Sequence, residues 1–279
     1  MSSPEEAVLF KRIAQATAEA VRTAEITLPP DVLDRITSAA AEETSPVARR
    51  EFDHILENIR LARERQTPIC QDTGIPVVYL TLPSSIDYST GIAEAVRAGI
   101  RMATKTVPLR PNLVDPLTRQ NTTTNTSDDM PAVHISPGEK LTITVLPKGA
   151  GSENVSQIRM FSPSEKGKIT EFIVETVLKA GSRPCPPIIL GVGIGGTFDG
   201  AASLAKEALL EPVDQMTLEE QEICDVINTL GIGPMGLGGK KTCLAVKIKK
   251  AGCHTASLPV AINVQCWAAR RATVEVPLS

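Results

Sequence analysis

The amino-acid sequence predicts a mixed α/β fold, in which a helical N-terminal lobe is followed by alternating strands and helices. Apolar residues recur at helical spacing in "PEEAVLFKRIAQATAEAVRTAE", close to the N-terminus. Apolar runs bounded by turn residues, such as "IPVVYLTL" and the alternating "KLTITVLP", are typical of strands. Segments of helical pattern, such as "TFDGAASLAKEALL", separate these runs. Together the three patterns indicate the mixed α/β class.

The N-terminal lobe is predicted over residues 1–66. Pro29 and Pro30 end the first helical pattern, and "PPDVLDRITSAAAEE" forms the second. Ser45 as N-cap and Pro46 at the first helical position then begin "PVARREFDHILENIRLARERQ". We expect this region to be part of the same domain as the rest or an oligomerisation lobe. Residues 67–279 are expected to form the α/β region that carries the functional site.

Within the α/β region we predict helices in "YSTGIAEAVRAGIRMATK" and from about Pro163 to Gly181, and strands in "PPIILGVGI", "TCLAVKIKK" and "SLPVAINVQ". Thr217 and Glu220 have the spacing of a capping box that begins another helix. The stretch "PLRPNLVDPLTRQNTTTNTSDDMPAVH" has four prolines and few apolar residues, which predicts irregular structure. Loops of this length are usually functional or disordered.

Composition excludes several classes of partner. The 279 residues carry a net charge of −3 with pI ≈ 5.8, and only 3% are aromatic. An acidic chain with few aromatic side chains is a poor match for nucleic acid or an anionic membrane. No apolar run reaches the roughly 18 residues of a membrane span. Because Glu5 and Glu6 lie where a signal peptide would be basic, we expect a cytoplasmic protein.

Six cysteines lie far apart, and none forms a CxxC pair. In a chain that is neither small nor secreted a disulfide framework is not expected, and several of these residues should be small buried hydrophobes. Cys70 is distinctive because "PICQDTG" places its thiol beside a carboxylate in a tight turn. With a disulfide disfavoured, the residues alone leave a nucleophile, a metal ligand or a small core residue as its role.

Two glycine-rich stretches resemble nucleotide-binding loops. "GVGIGG" fits the G-x-G-x-x-G spacing after a predicted strand, but the acidic residues at the required distance, Glu211 and Asp214, lie in a turn and helix start. "GIGPMG" contains a proline, and "GPMGLGGKKT" lacks the first glycine of a phosphate loop. Dinucleotide binding is therefore disfavoured. Anion binding by backbone amides and simple close packing of glycines both stay open.

The three histidines lie in different sequence surroundings. His54 lies in a charged helical segment, which predicts a solvated side chain, and His134 adjoins a strand. His254, in "AGCHTASLPV", is flanked by small residues and is the best acid–base candidate of the three.

Five motifs, in order along the chain, resemble one enzyme family. "PICQDTG", "KGAGSEN", "PCPPIILGVGIGGTFD", "GLGGKKTC" and "HTASLPVAINVQCWAARR" are similar to the α-subunit of class I fumarate hydratases and the related L-tartrate dehydratases, which are iron–sulfur hydro-lyases. The resemblance runs from about Val8 to Ala272. It implies a 4Fe–4S cluster with three cysteine ligands and one open iron, and these ligands fall on Cys70, Cys185 and Cys266. Cys224, Cys243 and Cys253 match no ligand motif and are interpreted as structural.

The same resemblance assigns polar residues to the site. It implies catalytic roles for Asp72 and His254, and substrate-binding roles for Gln71, Arg110, Lys148 and Gly151. Each has an ordinary alternative, since Arg110 can be a surface arginine and Asp72 a residue that caps a turn. The planar guanidinium of Arg110 suits a carboxylate, and three thiolate ligands leave one iron open to act as a Lewis acid.

Single-chain relatives continue into a second domain that supplies more cations. The resemblance therefore implies that this chain is the α half of a two-subunit enzyme, with a β-subunit as partner and a small dicarboxylate as substrate. We expect hydration of fumarate to L-malate, with conversion of L(+)-tartrate to oxaloacetate as the alternative. A non-catalytic cluster-carrying or redox-sensing protein is the alternative of another class. The helical N-terminal region is expected to make an α–α homodimer contact.

Overall fold

A computed structural model of the chain describes residues 4–86, 88 and 90–278. Backbone contacts divide the chain into two compact units. The first unit comprises Met1–Pro29, Ile59–Gly149 and Arg270–Ser279, and the second comprises Pro30–Asn58 and Ala150–Ala269. No helix in the described ranges is both long and apolar enough to cross a membrane. The predicted boundary between a helical region and an α/β region at residue 66 rests on secondary-structure pattern and not on contacts, and it stays a prediction.

The first unit is built on a four-stranded sheet with the strand order β2-β1-β3-β8. Its strands are β1 (Ile75–Leu82), β2 (Ala132–Pro137), β3 (Thr142–Lys148) and β8 (Ala272–Glu275). β1 pairs parallel to β2 and antiparallel to β3, with Val78 between Val133 and Val145. Helices α1 (Pro4–Ile26) and α4 (Thr90–Thr106) pack together, and α1 also packs on β3. The core is fully buried at Val21, Val96, Ile100, Val78 and Ile143.

The second unit is built on another four-stranded sheet, with the order β4-β7-β5-β6. Its strands are β4 (Gln157–Phe161), β5 (Ile188–Gly196), β6 (Cys243–Cys253) and β7 (Leu258–Gln265). Val192 in β5 lies between Ile248 of the parallel β6 and Ile262 of the antiparallel β7. The helices are α2 (Pro30–Glu42), α5 (Ala150–Glu153), α6 (Ile169–Ala180), α7 (Phe198–Ala208) and α8 (Leu218–Asn228). α3 (Pro46–Arg65) contributes residues to both units.

The glycines of "GVGIGG" let α7 approach β5. A Cβ atom added to Gly191 would lie 2.0 Å from the Ala205 carbonyl oxygen, and one added to Gly193 would lie 2.1 Å from that of Ala201. Real side chains do not tolerate such distances, so helix and strand can pack this closely only over glycine. Of the two alternatives left open by the sequence, the close packing of glycines accounts for this motif.

Most predicted elements are confirmed, and the mixed α/β class with N-terminal helices is correct. The capping box is present, since Thr217 Oγ1 accepts from Glu220 N and Glu220 Oε2 accepts from Thr217 N. His54 is solvated as predicted, with 66% of its side chain exposed.

Two predictions differ in detail from the structure. The helix expected from Pro163 begins as a 3₁₀ segment, Pro163–Lys168. Strand β2 begins inside the stretch that was predicted to be irregular. Sequence patterns missed β2, β4 and β8 because these strands have only six, five and four residues and are largely exposed.

Replacing Gly193 tests the packing of α7 on β5. Gly193→Ala should lower the free energy of unfolding by about 1–3 kcal/mol, because the added methyl group overpacks the contact with Ala201. Urea denaturation of the full chain measures this difference. Gly252→Ala is the matched control, since a Cβ there meets no atom within 4 Å and stability should be unchanged or slightly higher. Equal effects of the two substitutions would contradict the packing role.

Candidate functional site

The turn after Cys70 is organised by the Asp72 carboxylate. Asp72 Oδ1 accepts hydrogen bonds from the Gly74 backbone N–H at 2.9 Å and from Asn112 Nδ2 at 3.2 Å. The first bond makes an Asx turn, in which a side chain replaces a backbone acceptor. Gly74 has φ 70°, and a Cβ there would lie 2.6 Å from the carbonyl carbon of Lys148. The turn thus requires both the carboxylate and the glycine.

Arg110 lies in a loop that is tied to this turn. Thr73 Oγ1 accepts from the Arg110 backbone N–H at 3.1 Å, and Asn125 Nδ2 donates to the Arg110 carbonyl at 3.1 Å. Asn125 Oδ1 accepts from Asn112 N at 2.7 Å, and Asn125 is only 1% exposed. The backbone of Arg110 is therefore held while its side chain is exposed.

Lys148 and the residue after it complete this side of the first unit. Lys148 ends β3 opposite Ile75, which follows the turn, and it is 5% exposed. A Cβ on Gly149 would lie 3.1 Å from Asp72 Oδ2. The structure thus brings together four of the predicted site residues, namely Gln71, Asp72, Arg110 and Lys148, around the turn that bears Cys70.

A buried ion pair holds both ends of the same turn. Arg270 Nη1 donates to Glu25 Oε2 at 2.5 Å, and each side chain is 2% exposed. Arg270 Nη2 donates to the Asp72 carbonyl at 2.9 Å, and the Glu25 carbonyl accepts from Ile69 N at 2.8 Å. Cys70 and Gln71 lie between these two attachment points, so their backbone is fixed to the end of α1.

The electrostatics of this pair are dominated by its burial. Burial raises the pKa of Glu25 from 4.5 to about 7, although the positive charge of Arg270 and its hydrogen bond act in the opposite direction. A buried arginine without an acceptor would carry a large desolvation cost. Glu25 therefore serves as the acceptor that allows Arg270 to lie beneath the turn.

In the second unit, a backbone hydrogen bond joins the segments that carry two of the predicted ligands. The Cys185 carbonyl accepts a hydrogen bond at 3.3 Å from the N–H of Trp267, the residue after Cys266. Cys185 has φ 52°, a conformation that L residues rarely adopt, and its own N–H donates to the Ser182 carbonyl. A Cβ on Gly151 would lie 3.1 Å from the Arg183 carbonyl, so this predicted residue faces the turn before Cys185.

Exposure separates the cysteines into distinct kinds. Cys70, Cys185 and Cys266 are partly buried, Cys224 and Cys243 are buried, and Cys253 is exposed. Among the described residues, no group of three or more His, Cys, Asp or Glu side chains is placed to hold a metal ion. Partly buried thiols on rigid turns nevertheless have the donor chemistry that iron–sulfur clusters require. The three predicted ligands fit such a group chemically, and their ligand role stays a prediction.

His254 lies elsewhere in the second unit. It is exposed in the turn between β6 and β7, where its Nδ1 accepts from the Ala256 N–H at 3.1 Å. An accepting Nδ1 leaves the proton of the neutral ring on Nε2. Cys266 follows the opposite end of β7, and the eight residues of this strand span about 25 Å at about 3.3 Å each. The structure therefore does not bring His254 and Cys266 of one chain together.

Sequence reasoning missed the residues that support the site. Glu25, Asn112, Asn125 and Arg270 hold the turn and the Arg110 loop but were not singled out. A signal existed for Glu25, because it interrupts the apolar face of α1 beside Val21 and Ala24. Arg270 gave no signal of its own, since an arginine after "CWAA" is ordinarily exposed.

Removal of Glu25 tests the buried ion pair. Glu25→Ala should lower the free energy of unfolding by about 3–5 kcal/mol, because Arg270 is left buried without its acceptor. Chemical denaturation at neutral pH measures this loss. The matched control is Glu275→Ala, which breaks a pair with Lys140 whose side chains are 54% and 65% exposed. That change should cost less than about 1 kcal/mol, and a similar loss in both variants would argue against the role of Glu25.

Comparison with known proteins agrees with the family resemblance of the motifs. Residues 14–275 match the family described as fumarate hydratase (Fumerase). The "Putative L(+)-tartrate dehydratase subunit alpha" of Methanocaldococcus jannaschii is 45% identical, over 96% of this chain and 98% of that protein. The "Putative fumarate hydratase class I" of Geobacillus stearothermophilus is 35% identical, over 89% of this chain but only 52% of that protein.

A further relative is more distant but equally complete. The L(+)-tartrate dehydratase subunit alpha of Escherichia coli strain UTI89 is 28% identical, over 99% of this chain and 94% of that protein. The family match covers most of the chain, including the Cys70 turn, the Arg110 loop and the Cys185 and Cys266 segments. On these grounds the chain belongs to the fumarate hydratase (Fumerase) family.

Proposed function

We propose that this chain is the α-subunit of a two-subunit hydro-lyase that interconverts fumarate and L-malate with a 4Fe–4S cluster. The observation that carries the proposal is the grouping of Gln71, Asp72, Arg110 and Lys148 around the Cys70 turn in a chain of this family. A dicarboxylate needs cations and amide donors at one place, and this grouping supplies both.

Each polar residue has a role that follows from its chemistry. The exposed guanidinium of Arg110 binds one carboxylate in a bidentate manner, and its backbone is already held by Thr73 and Asn125. The buried Lys148 adds a second positive charge, and Gln71 donates an amide hydrogen bond. Asp72 is oriented by two N–H donors on Oδ1, which suits a carboxylate that exchanges a proton with the substrate. Gly151, in the first turn of α5, would present its backbone N–H as a donor to the substrate.

The proposed ligands of the cluster are Cys70, Cys185 and Cys266. A cluster held by three thiolates keeps one iron open, which can polarise the departing hydroxyl group as a Lewis acid. The contribution of the chain is to hold the thiolates on rigid turns. The Glu25–Arg270 pair fixes the Cys70 turn, and the bond from Trp267 N fixes the Cys185 carbonyl.

A β-subunit is proposed as the partner. Two relatives that match along nearly their whole length are named as subunit alpha. The Geobacillus relative is about twice as long as its region that aligns with this chain. The remaining cations for the second carboxylate would come from that subunit. Arg110 and Lys148 of this chain would bind one of the two carboxylate groups. The other carboxylate group would be bound by the partner.

L(+)-tartrate is the second candidate substrate. The relative with 45% identity carries the tartrate dehydratase name, which favours this alternative. Malate and tartrate differ by a single hydroxyl group, and fold alone does not decide between them. Anaerobic assembly of the α- and β-subunits with iron and sulfide, followed by assays on malate, fumarate and tartrate, decides between the substrates. No turnover of any of these by a cluster-loaded complex would favour the non-catalytic, redox-sensing alternative.

We also propose a role for His254 that depends on its position in the second unit. Because β7 separates His254 from Cys266 by about 25 Å, His254 would act in the site of a second copy of the chain. This arrangement requires the α–α homodimer that the sequence led us to expect. The neutral ring would present Nε2–H to the substrate, since Nδ1 accepts from Ala256 N.

Substitution of the proposed ligands tests the cluster assignment. After anaerobic reconstitution, Cys70→Ser, Cys185→Ser and Cys266→Ser should each lose most of the bound iron, acid-labile sulfide and visible absorbance of the wild type. Cys253→Ser is the matched control, because that thiol is exposed and should leave the iron content unchanged. Full iron binding by Cys70→Ser would refute the ligand role of Cys70.

Mixing of two inactive variants tests the placement of His254. Separately, Asp72→Ala and His254→Ala complexes should be inactive or nearly so. In a two-fold symmetric dimer, random exchange of their subunits should restore about a quarter of wild-type activity, because half of the dimers contain one intact site. If His254 acts within its own chain, each hybrid site keeps one defect and mixing restores nothing.

A further inference from the structure

Two buried cysteines are neighbours in the core of the second unit, outside the proposed hydro-lyase site. Cys224 in α8 and Cys243 at the start of β6 are each 1% exposed. The Cys224 thiol lies 3.7 Å from the Cys243 carbonyl oxygen. Asn228 clamps the two residues, because its Nδ2 lies 3.7 Å from Cys224 Sγ and 3.2 Å from the Cys243 carbonyl, while its Oδ1 accepts from Cys243 N.

A small cavity connects this thiol pair with the surface. Its volume is about 40 Å³, and both cysteines line it together with Arg35 and Lys241. Ser38, Glu42 and Asp225 also line the cavity and are exposed, so it opens to solvent. A single water needs a cavity of at least roughly 10–15 Å³. The space thus admits a molecule of the size of water or hydrogen peroxide, but not a tripeptide such as glutathione.

The charges around the pair distinguish its two sulfurs. The side chain of Cys243 lowers the pKa of Cys224, and the positive charges of Arg35 and Lys241 act in the same direction. Burial and the negative charge of Asp225 raise the pKa of Cys224, and the Cys243 thiol itself donates to the Ala245 carbonyl at 3.3 Å. Burial raises the pKa of Cys243 well above its ordinary value, and the neighbouring Cys224 adds to this effect. Of the two sulfurs, Cys224 is therefore the one whose surroundings favour the thiolate more, which makes it the attacking sulfur in the proposal below.

We propose that Cys224 and Cys243 form a peroxide-reactive dithiol, which closes to an intrachain disulfide when hydrogen peroxide enters the cavity. This modification site is independent of the hydro-lyase function and of the three proposed cluster ligands. It revises the structural role that the sequence assigned to both residues. Lys241 is held beside the cavity by an ion pair with Glu42 at 2.6 Å, and Arg35 by a hydrogen bond to the Leu244 carbonyl at 2.6 Å.

The chemistry balances with hydrogen peroxide as the oxidant. The Cys224 thiolate attacks one peroxide oxygen, the O–O bond breaks, and the departing hydroxide takes up a proton to become water. Cys224 is then a sulfenic acid. The sulfur of Cys243 attacks it, the S–S bond forms, the S–O bond breaks, and a second water leaves with the thiol proton. Two thiols are oxidised by two electrons in total, and one peroxide is reduced to two waters.

The experiment treats the full-length chain with hydrogen peroxide, blocks the remaining thiols under denaturing conditions, and identifies each cysteine by peptide mass spectrometry. We expect a cross-linked Cys224–Cys243 peptide pair that a reducing agent separates. In the folded chain, oxidised glutathione and a bulky maleimide should modify Cys253 but not Cys224, because only small oxidants fit the cavity. The proposal is wrong if both buried cysteines are recovered as thiols after peroxide has oxidised Cys253.

Single substitutions separate the two roles, and unfolding curves first confirm that each variant is folded. In Cys243→Ser, Cys224 should stop at the sulfenic acid, which dimedone traps. In Cys224→Ser, oxidation of Cys243 should be lost, and undiminished oxidation there would overturn the assignment of the nucleophile. Lys241→Met should slow disulfide formation several-fold. Lys250→Met, which breaks a surface pair with Glu219 remote from the cavity lining, should not change the rate.

Discussion

The ion pair between Glu25 and Arg270 is the constraint on which the proposed site depends. Arg270 reaches the Asp72 carbonyl only because Glu25 accepts the hydrogen bond from Nη1 in a region that excludes water. The same glutamate binds Ile69 through its carbonyl, so one residue holds both ends of the Cys70 turn. A buried pair of this kind adds little net stability, because desolvation offsets the attraction. Its value lies in fixing a short backbone segment that carries a thiol, an amide and a carboxylate.

Hydrogen bonds connect the Cys70 turn to the Arg110 loop in the first unit. The Asp72 carboxylate accepts hydrogen bonds from Gly74 N and Asn112 Nδ2. The side chain of Asn125 in turn accepts from Asn112 N and donates to the Arg110 carbonyl. The long stretch without regular structure is thus ordered by polar side chains together with the buried Leu109 and Leu113. Such loops can place a guanidinium beside a turn because buried amide groups satisfy their backbone. This arrangement accounts for the number of Asn and Thr residues there.

The second unit shows how one residue type serves different purposes. Glycines that resemble a dinucleotide motif instead bring α7 onto β5. Cys185 and Cys266 are partly buried, and the Cys185 carbonyl accepts from the N–H of Trp267, the residue after Cys266. The Cys224–Cys243 pair instead lies in the core beside Arg35 and Lys241. Thiol chemistry depends on the neighbouring charges and on access. The same six residues therefore divide into proposed ligands, a proposed peroxide-reactive pair and one exposed thiol.

The sequence by itself determined the mixed α/β class, the N-terminal helices and the family, because helical periodicity, apolar strands and five ordered motifs are local properties. It also indicated Gln71, Asp72, Arg110 and Lys148, although only through resemblance. Tertiary structure alone decided that these four surround one turn, that Glu25 and Arg270 support it, and that His254 lies about 25 Å from Cys266 along β7. The short exposed strands and the thiol pair were equally hidden, because each depends on residues that are distant in the chain and adjacent only after folding.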